Sequence, residues 1–142
     1  LAWAPSIKAA GLVRHPLASA RHPLLAPEDV GEVAARVLTE DGHEGAAHTL
    51  TGEESLSVAE QAAVIGAAIG RDLAVAEISL DEAEAAMVAR GMPPATAAAV
   101  RELHGFTREG RTDIVTGTVR ELLGRAPRSF RWWCAENAAA FS

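Results

Sequence analysis

Residues 23–71, PLLAPEDVGEVAARVLTEDGHEGAAHTLTGEESLSVAEQAAVIGAAIGR, are the stretch that decides the fold class. Val30, Val33, Ala34, Val37 and Leu38 fall at i, i+3, i+4, i+7 and i+8, one apolar stripe, which predicts a helix over Asp29–Thr39. Glu28 and Asp29 stand in its first turn, where negative charge suits the helix dipole. As adjacent helical residues they point different ways and do not make an acid–base pair. Asp41–Gly45 (DGHEG) reads as a turn, and Ala46–Thr51 (AAHTLT) as a strand closed by Gly52. Ser57 and Glu60 then spell a capping box, Val58, Ala62, Ile65 and Ile69 supply a second buried stripe, and Gly70 stands as the C′ residue. Helix, strand and helix in alternation predict a helix-rich α/β chain.

Toward the C-terminus, Leu73–Ile78 alternates as a second strand. Ser79 and Glu82 form another capping box, opening a helix over 80–90 that Gly91 stops. Pro93 and Pro94 begin a helix over 93–104 with a stripe of Thr96, Val100 and Leu103. Asp113 is the expected cap of a short helix holding Val115, Val119, Leu122 and Leu123, which Gly124 ends. Ser129 caps a terminal helix over 129–141, with Phe130, Trp133, Asn137 and Phe141 on one face. Toward the N-terminus, Pro5, Pro16 and Pro23 interrupt residues 1–26. Ser6–Val13 reads there as a short helix or turn, and Leu24–Ala26 as a short buried strand.

The 142 residues suit one domain, and the 49% apolar content is enough for a core. A formal charge of −6 argues against a broad basic face for nucleic acid. No apolar run approaches the ~20 residues of a membrane span. The opening LAWAPSIKAAGLV lacks the marks of a signal peptide, so a cytoplasmic chain is expected. Alanine is abundant and Lys8 is the sole lysine, a usage that suits a GC-rich, bacterial genome. A single cysteine, Cys134, excludes an internal disulfide and a Cys-rich zinc site. With no Tyr, no tyrosine acid or base can reside in this chain.

His15, His22, His43, His48 and His104 form no HExxH pair and no ligand spacing with a Cys, so they are expected at the surface or hydrogen-bonded. Gly66 and Gly70 sit within and at the end of a helix, the wrong place for a phosphate-cradling loop. No GxGxxG, GxxxxGK[ST] or GxSxG occurs. Ser57, Ser79 and Ser129 serve as caps, and Cys134 beside Trp133 as a small core hydrophobe. Trp3 and Ile7, at helical spacing, face either a ligand or a groove, and Met87 and Met92 bracket Gly91 as pocket wall or core filler.

The order WAPSI (3–7), VRHP (13–16), PLLAPEDVGEVAARVLTEDGHEGAAHTLTGEESLSVAEQAAVIGAAIGR (23–71), GMPP (91–94) and TVRELLGRAPRSFRWW (118–133) resembles the C-terminal part of NmrA-like proteins, atypical short-chain dehydrogenase/reductase relatives that bind NAD(P). Glu53 stands where that family commonly has Pro after the Thr-Gly. The resemblance implies that the glycine-rich Rossmann half lies upstream of Leu1, which would fall just after the strand and loop bordering the cofactor cleft. It implies that residues 1–52, with the helix 29–39 and the strand 46–51, are the edge of the parallel Rossmann sheet. Residues 53–142 would then be the small helical substrate-binding lobe.

By the same resemblance Trp3, Ile7, Met87 and Met92 line the substrate cleft, with Arg14 or His15 as its polar edge. No catalytic, cofactor-binding or metal-binding residue is assigned. NAD(P) is implied for the intact family member and none is expected on this chain alone. The function implied is the substrate-binding part of an NAD(P)-dependent oxidoreductase acting on a small organic molecule. Alternatives are a stand-alone, non-redox binding module or a dinucleotide-sensing regulator that binds a protein partner. The apolar face left by such a division would be covered by the Rossmann half or by a second copy in a homodimer, with no nucleic acid or membrane partner.

Overall fold

The computed structural model describes residues 3–142; Leu1, whose place beside the cofactor cleft was an expectation, lies outside them. Helix α3 (Val58–Ile69) is the hub. Both arms of its capping box are made, Ser57 N–H donating to the Glu60 carboxylate at 2.7 Å and Glu60 N–H to Ser57 Oγ at 3.2 Å. Val58, Ala62 and Ile65 are buried with Ile7, Val13, Cys134 and Phe141 in one cluster. Gly70 ends the helix in the left-handed region at φ +66°. Inside it, Gly66 lets the chain return closely: a Cβ there would lie 2.6 Å from the Arg71 carbonyl oxygen.

Around this hub stand α1 (Ala4–Ala10), β1 (Leu12–His15), β2 (Arg21–Pro23), α2 (Pro27–Thr39), β3 (Ser55–Ser57) and β4 (Ala74–Glu77). They are followed by α4 (Leu80–Ala89), α5 (Pro94–Arg108), α6 (Thr118–Leu123), α7 (Phe130–Glu136) and a 3-10 turn at Ala138–Ala140. Strands β1 and β4 pair in parallel from Leu12↔Ala74 to His15↔Glu77, and β2 and β3 pair antiparallel. Helices α4 and α5 form a hairpin tied by Arg101 to Asp81 at 2.6 Å and to Glu84 at 3.3 Å. The fold is thus α/β and helix-rich, as the sequence predicts. No described helix is long and apolar enough to cross a membrane.

Several elements differ from expectation. Residues 46–51 join no strand ladder. Their alternating pattern suits a strand, but this stretch is held by side chains: Thr116 N–H donates to Thr51 Oγ1 and Thr116 Oγ1 to the Thr49 carbonyl, each at 2.9 Å. Pairing comes later, at β3, against Arg21–Pro23, so Leu24–Ala26 is not a strand either. At that point the Gly52 amide donates to the Pro23 carbonyl, and a Cβ on Gly52 would overlap the Leu24 carbonyl oxygen. Helix α5 runs on to Arg108, and its buried positions are Ala97 and Thr107, while Thr96 and Leu103 are exposed. Choosing the stripe by apolar bulk alone missed the small Ala97 and Thr107, whose hydroxyl is satisfied by the Leu103 carbonyl. Asp113 caps nothing: Gly117 precedes α6, and the Asp113 carboxylate accepts instead from Ser55 Oγ. The terminal helix breaks at Asn137, whose side-chain amide donates to the Trp133 carbonyl at 2.9 Å.

Asp29 does more than complement a dipole. It is buried, and accepts from Arg125 at 2.7 Å and from the Arg128 backbone N–H at 2.6 Å, as well as from the Arg128 guanidinium. Glu32, one turn on, meets the same two arginines from the exposed side. Burial pushes the Asp29 carboxyl up, but these hydrogen bonds outweigh it and hold the group below the usual carboxylate range. The clamp locks α2 to the segment after α6. On the other side of α2, Val30 is 43% and Leu38 84% exposed.

Candidate functional site

Crevices beyond the carboxyl ends of parallel strands are where open α/β sheets bind ligands. Here β1 and β4 end at a cleft of about 640 Å³, closed on the far side by the α4–α5 hairpin. Trp3 and Ser6 enter it from α1 and its cap, Arg14 and His15 from the end of β1, and Ile78 from the end of β4. Met87 comes from α4 and Arg90 from its C-cap, Val100 and His104 from α5. The rim is charged: Arg14 stands 3.9 Å from Glu82. Glu82 also caps α4 through the Ser79 amide, which with the nearby Arg14 keeps its carboxyl below the usual range.

The floor is aromatic and uncharged. His15 lies edge-on to Trp3 at 5.9 Å, to His104 at 5.6 Å and to His22 at 6.5 Å between ring centroids. Burial first, then the nearby His104, lower the His15 pKa to about 4. Burial also lowers that of His22, against the charge of Asp113, and that of His104, with help from His22. All three imidazoles are therefore neutral at physiological pH. The Leu17 amide donates to His15 Nδ1 at 3.2 Å, which puts the proton of the neutral ring on Nε2. His104 Nδ1 is buried without a hydrogen-bond partner.

Of the expected site residues, the cleft brings together Trp3, Arg14, His15 and Met87. Ile7 is not in the lining: four residues on from Trp3 and on the same face, it is fully buried in the core cluster with Val13 and Ile65, and Trp3 packs against that cluster from the cleft side. Met92 also falls outside the lining, since Gly91 turns the chain away at φ +94° and the Met92 amide closes back on the Met87 carbonyl at 3.1 Å. His104 and His22, which the sequence spacing presents as isolated, both stand against His15. The available signal was that Val100 and His104 are four apart on one helix and so share a face. His43 and His48 do meet, at 5.4 Å, but neither lines the cleft. No group of His, Cys, Asp and Glu among the described residues has the arrangement of a metal site. Cys134 is buried in the core, which pushes its thiol up to about 11.

The chain matches no protein-family profile. It is 40% identical over all 142 residues to a (4-alkanoyl-5-oxo-2,5-dihydrofuran-3-yl)methyl phosphate reductase of Streptomyces griseus, of which it covers 50%. It is 36% identical over 141 residues to an NAD(P)H azoreductase of Xenophilus azovorans, covering 49% of it. Among solved structures, the NADPH-dependent quinone oxidoreductase of Escherichia coli superposes with a TM-score of 0.82 at 22% identity, over 96% of this chain and 50% of that one. The chain thus spans about half the length of the relatives it matches, a C-terminal portion of them.

Proposed function

We propose, for a chain that belongs to the NmrA-like NAD(P)-binding proteins, atypical relatives of the short-chain dehydrogenases/reductases, that its cleft is the substrate side of an NAD(P)H-dependent reductase of a small organic molecule. The observation that carries this is the cleft itself, at the carboxyl ends of β1 and β4 and lined by Trp3, His15, Met87, Val100 and His104. Apolar walls with a few convergent polar groups suit a small organic ligand. An azoreductase and a quinone oxidoreductase among the similar proteins support an organic acceptor.

The dinucleotide is held elsewhere. A pyrophosphate needs free amides at a helix N-terminus after a strand. Of the strand-to-helix junctions among the described residues, β3 to α3 and β4 to α4 are each filled by a capping box whose glutamate, Glu60 or Glu82, would repel it, and β2 to α2 opens on Pro27, which has no N–H, followed by Glu28 and Asp29. The residues of this chain therefore do not fit NAD(P), and its binding falls to the glycine-rich half of the intact family member. Exposed Val30 and Leu38 on α2 support a face that this half, or a second copy, covers.

Menadione, a naphthoquinone, is a suitable probe. Titrated into the ¹⁵N-labelled chain, it should shift the Trp3 indole N–H first, and Trp3→Ala and Met87→Ala should each weaken binding about tenfold. Shifts centred on Trp133 instead, or affinity unchanged in both variants, would place the ligand outside the cleft.

A further inference from the structure

We propose that His15 is the residue by which the cleft selects its ligand: an imidazole fixed as a hydrogen-bond donor, which favours molecules carrying a carbonyl-type oxygen over hydrocarbons of the same shape. This rests on the reading of the cleft given above. Three features support it. The Leu17 amide occupies Nδ1, so the ring cannot turn over or change tautomer without losing that bond. Nε2 makes no hydrogen bond among the described residues, and His15, half-buried, lines the cleft, so its N–H is left for whatever enters. Trp3, His104 and His22 box the ring on its remaining sides, each edge-on and none charged at neutral pH.

The charged groups around it reinforce this role. Arg14, on the same strand, lies at the rim with Glu82 of α4, and Arg90 closes the α4 side. Asp113 acts on His22 and not on His15 directly. No carboxylate is paired with the His15 ring to raise its pKa. The group is therefore not a proton donor near pH 7. It orients and polarises an acceptor oxygen, as a neutral imidazole in a low-dielectric site can. A site built to give a hydrogen bond discriminates against a ligand that cannot take one, because its donor is then left unpaired.

Menadione and 2-methylnaphthalene share a bicyclic skeleton and differ in the two carbonyls, so the ratio of their affinities reads this discrimination. His15→Phe should reduce the ratio about tenfold. His15→Gln, whose side-chain carbonyl and amide can replace both edges of the ring, should keep most of it. ¹⁵N shifts of the free wild-type chain should show Nε2 protonated, Nδ1 bare and the ring neutral down to about pH 5. An unchanged ratio in His15→Phe, or a proton on Nδ1 at neutral pH, overturns the proposal while leaving the cleft as the binding site. Failure of the wild type to bind either compound removes both the cleft reading and the role of His15.

Discussion

Two helical glycines should respond to the same substitution with opposite sign. Alanine is favoured over glycine in a helix by up to about 1 kcal/mol, because glycine loses more backbone freedom on folding. At Gly31, in α2, an added Cβ meets nothing within 4 Å, so Gly31→Ala should collect most of that gain. For a domain of this size that is a rise of roughly 2–4 °C in Tm. At Gly66, in α3, the same methyl lies 2.6 Å from the Arg71 carbonyl oxygen and 3.6 Å from Leu73 Cγ. Backbone, and not a flexible side-chain end, must give way. That backbone is held in place: the Arg71 amide donates to the Gly66 carbonyl at 3.0 Å, and the Arg71 guanidinium reaches across Gly11 to the Ile7 carbonyl at 3.0 Å. Overpacking of this kind costs about 2–3 kcal/mol, so Gly66→Ala should lose about 1–2 kcal/mol net. Urea unfolding of the two variants with equal m-values is the assay. If Gly66→Ala stabilises to the same extent as Gly31→Ala, the close return of the chain after α3 is not as described.

Asp29→Ala should destabilise by about 3 kcal/mol, since it leaves two guanidiniums with only the exposed Glu32 and the half-buried Arg128 amide unsatisfied, whereas Glu28→Ala, at an exposed neighbouring position, should scarcely change the urea midpoint. Because the folded pKa values of His15, His22 and His104 lie below the unfolded ones, the unfolded chain binds more protons at mildly acid pH. Stability should therefore be complete above about pH 6.5 and decline as pH falls toward 4; equal urea midpoints at pH 7 and pH 5 would contradict this. NADPH titrated into the chain should give no saturable change in fluorescence, and a low-micromolar Kd would show that the capped helix starts do accept a dinucleotide.

What was legible in the sequence was what is decided locally. Ser57 with Glu60, Ser79 with Glu82, and Ser129 all act within one turn of themselves, and each cap is made. Gly70, Gly91 and Gly124 punctuate where positive φ is needed. The misreadings depend on partners far along the chain. Whether 46–51 or 55–57 becomes the strand is settled by what Arg21–Pro23 can reach. The burial of Asp29 is settled by two arginines in another motif. The resemblance expects Trp3, Arg14, His15 and Met87 together, and they line one cleft; the histidine cluster there is not legible, because His15, His22 and His104 come from β1, β2 and α5 and no spacing in the sequence encodes their meeting.

The Asp29 clamp also has a bearing on time. Arg125 and Arg128 follow Asp29 by 96 and 99 residues. The two ends of so long a loop rarely meet until the chain between them has condensed, so their contact belongs late in folding, after the rate-limiting barrier. An interaction absent from the transition state leaves the folding rate alone and sets the rate of escape from the native state. Asp29→Ala should accordingly speed unfolding by close to its full effect on stability and barely slow refolding. The pairing of the PEDVGEVAARVL and GRAPRSF motifs then acts as a latch, governing how long the folded chain persists and not how quickly it forms.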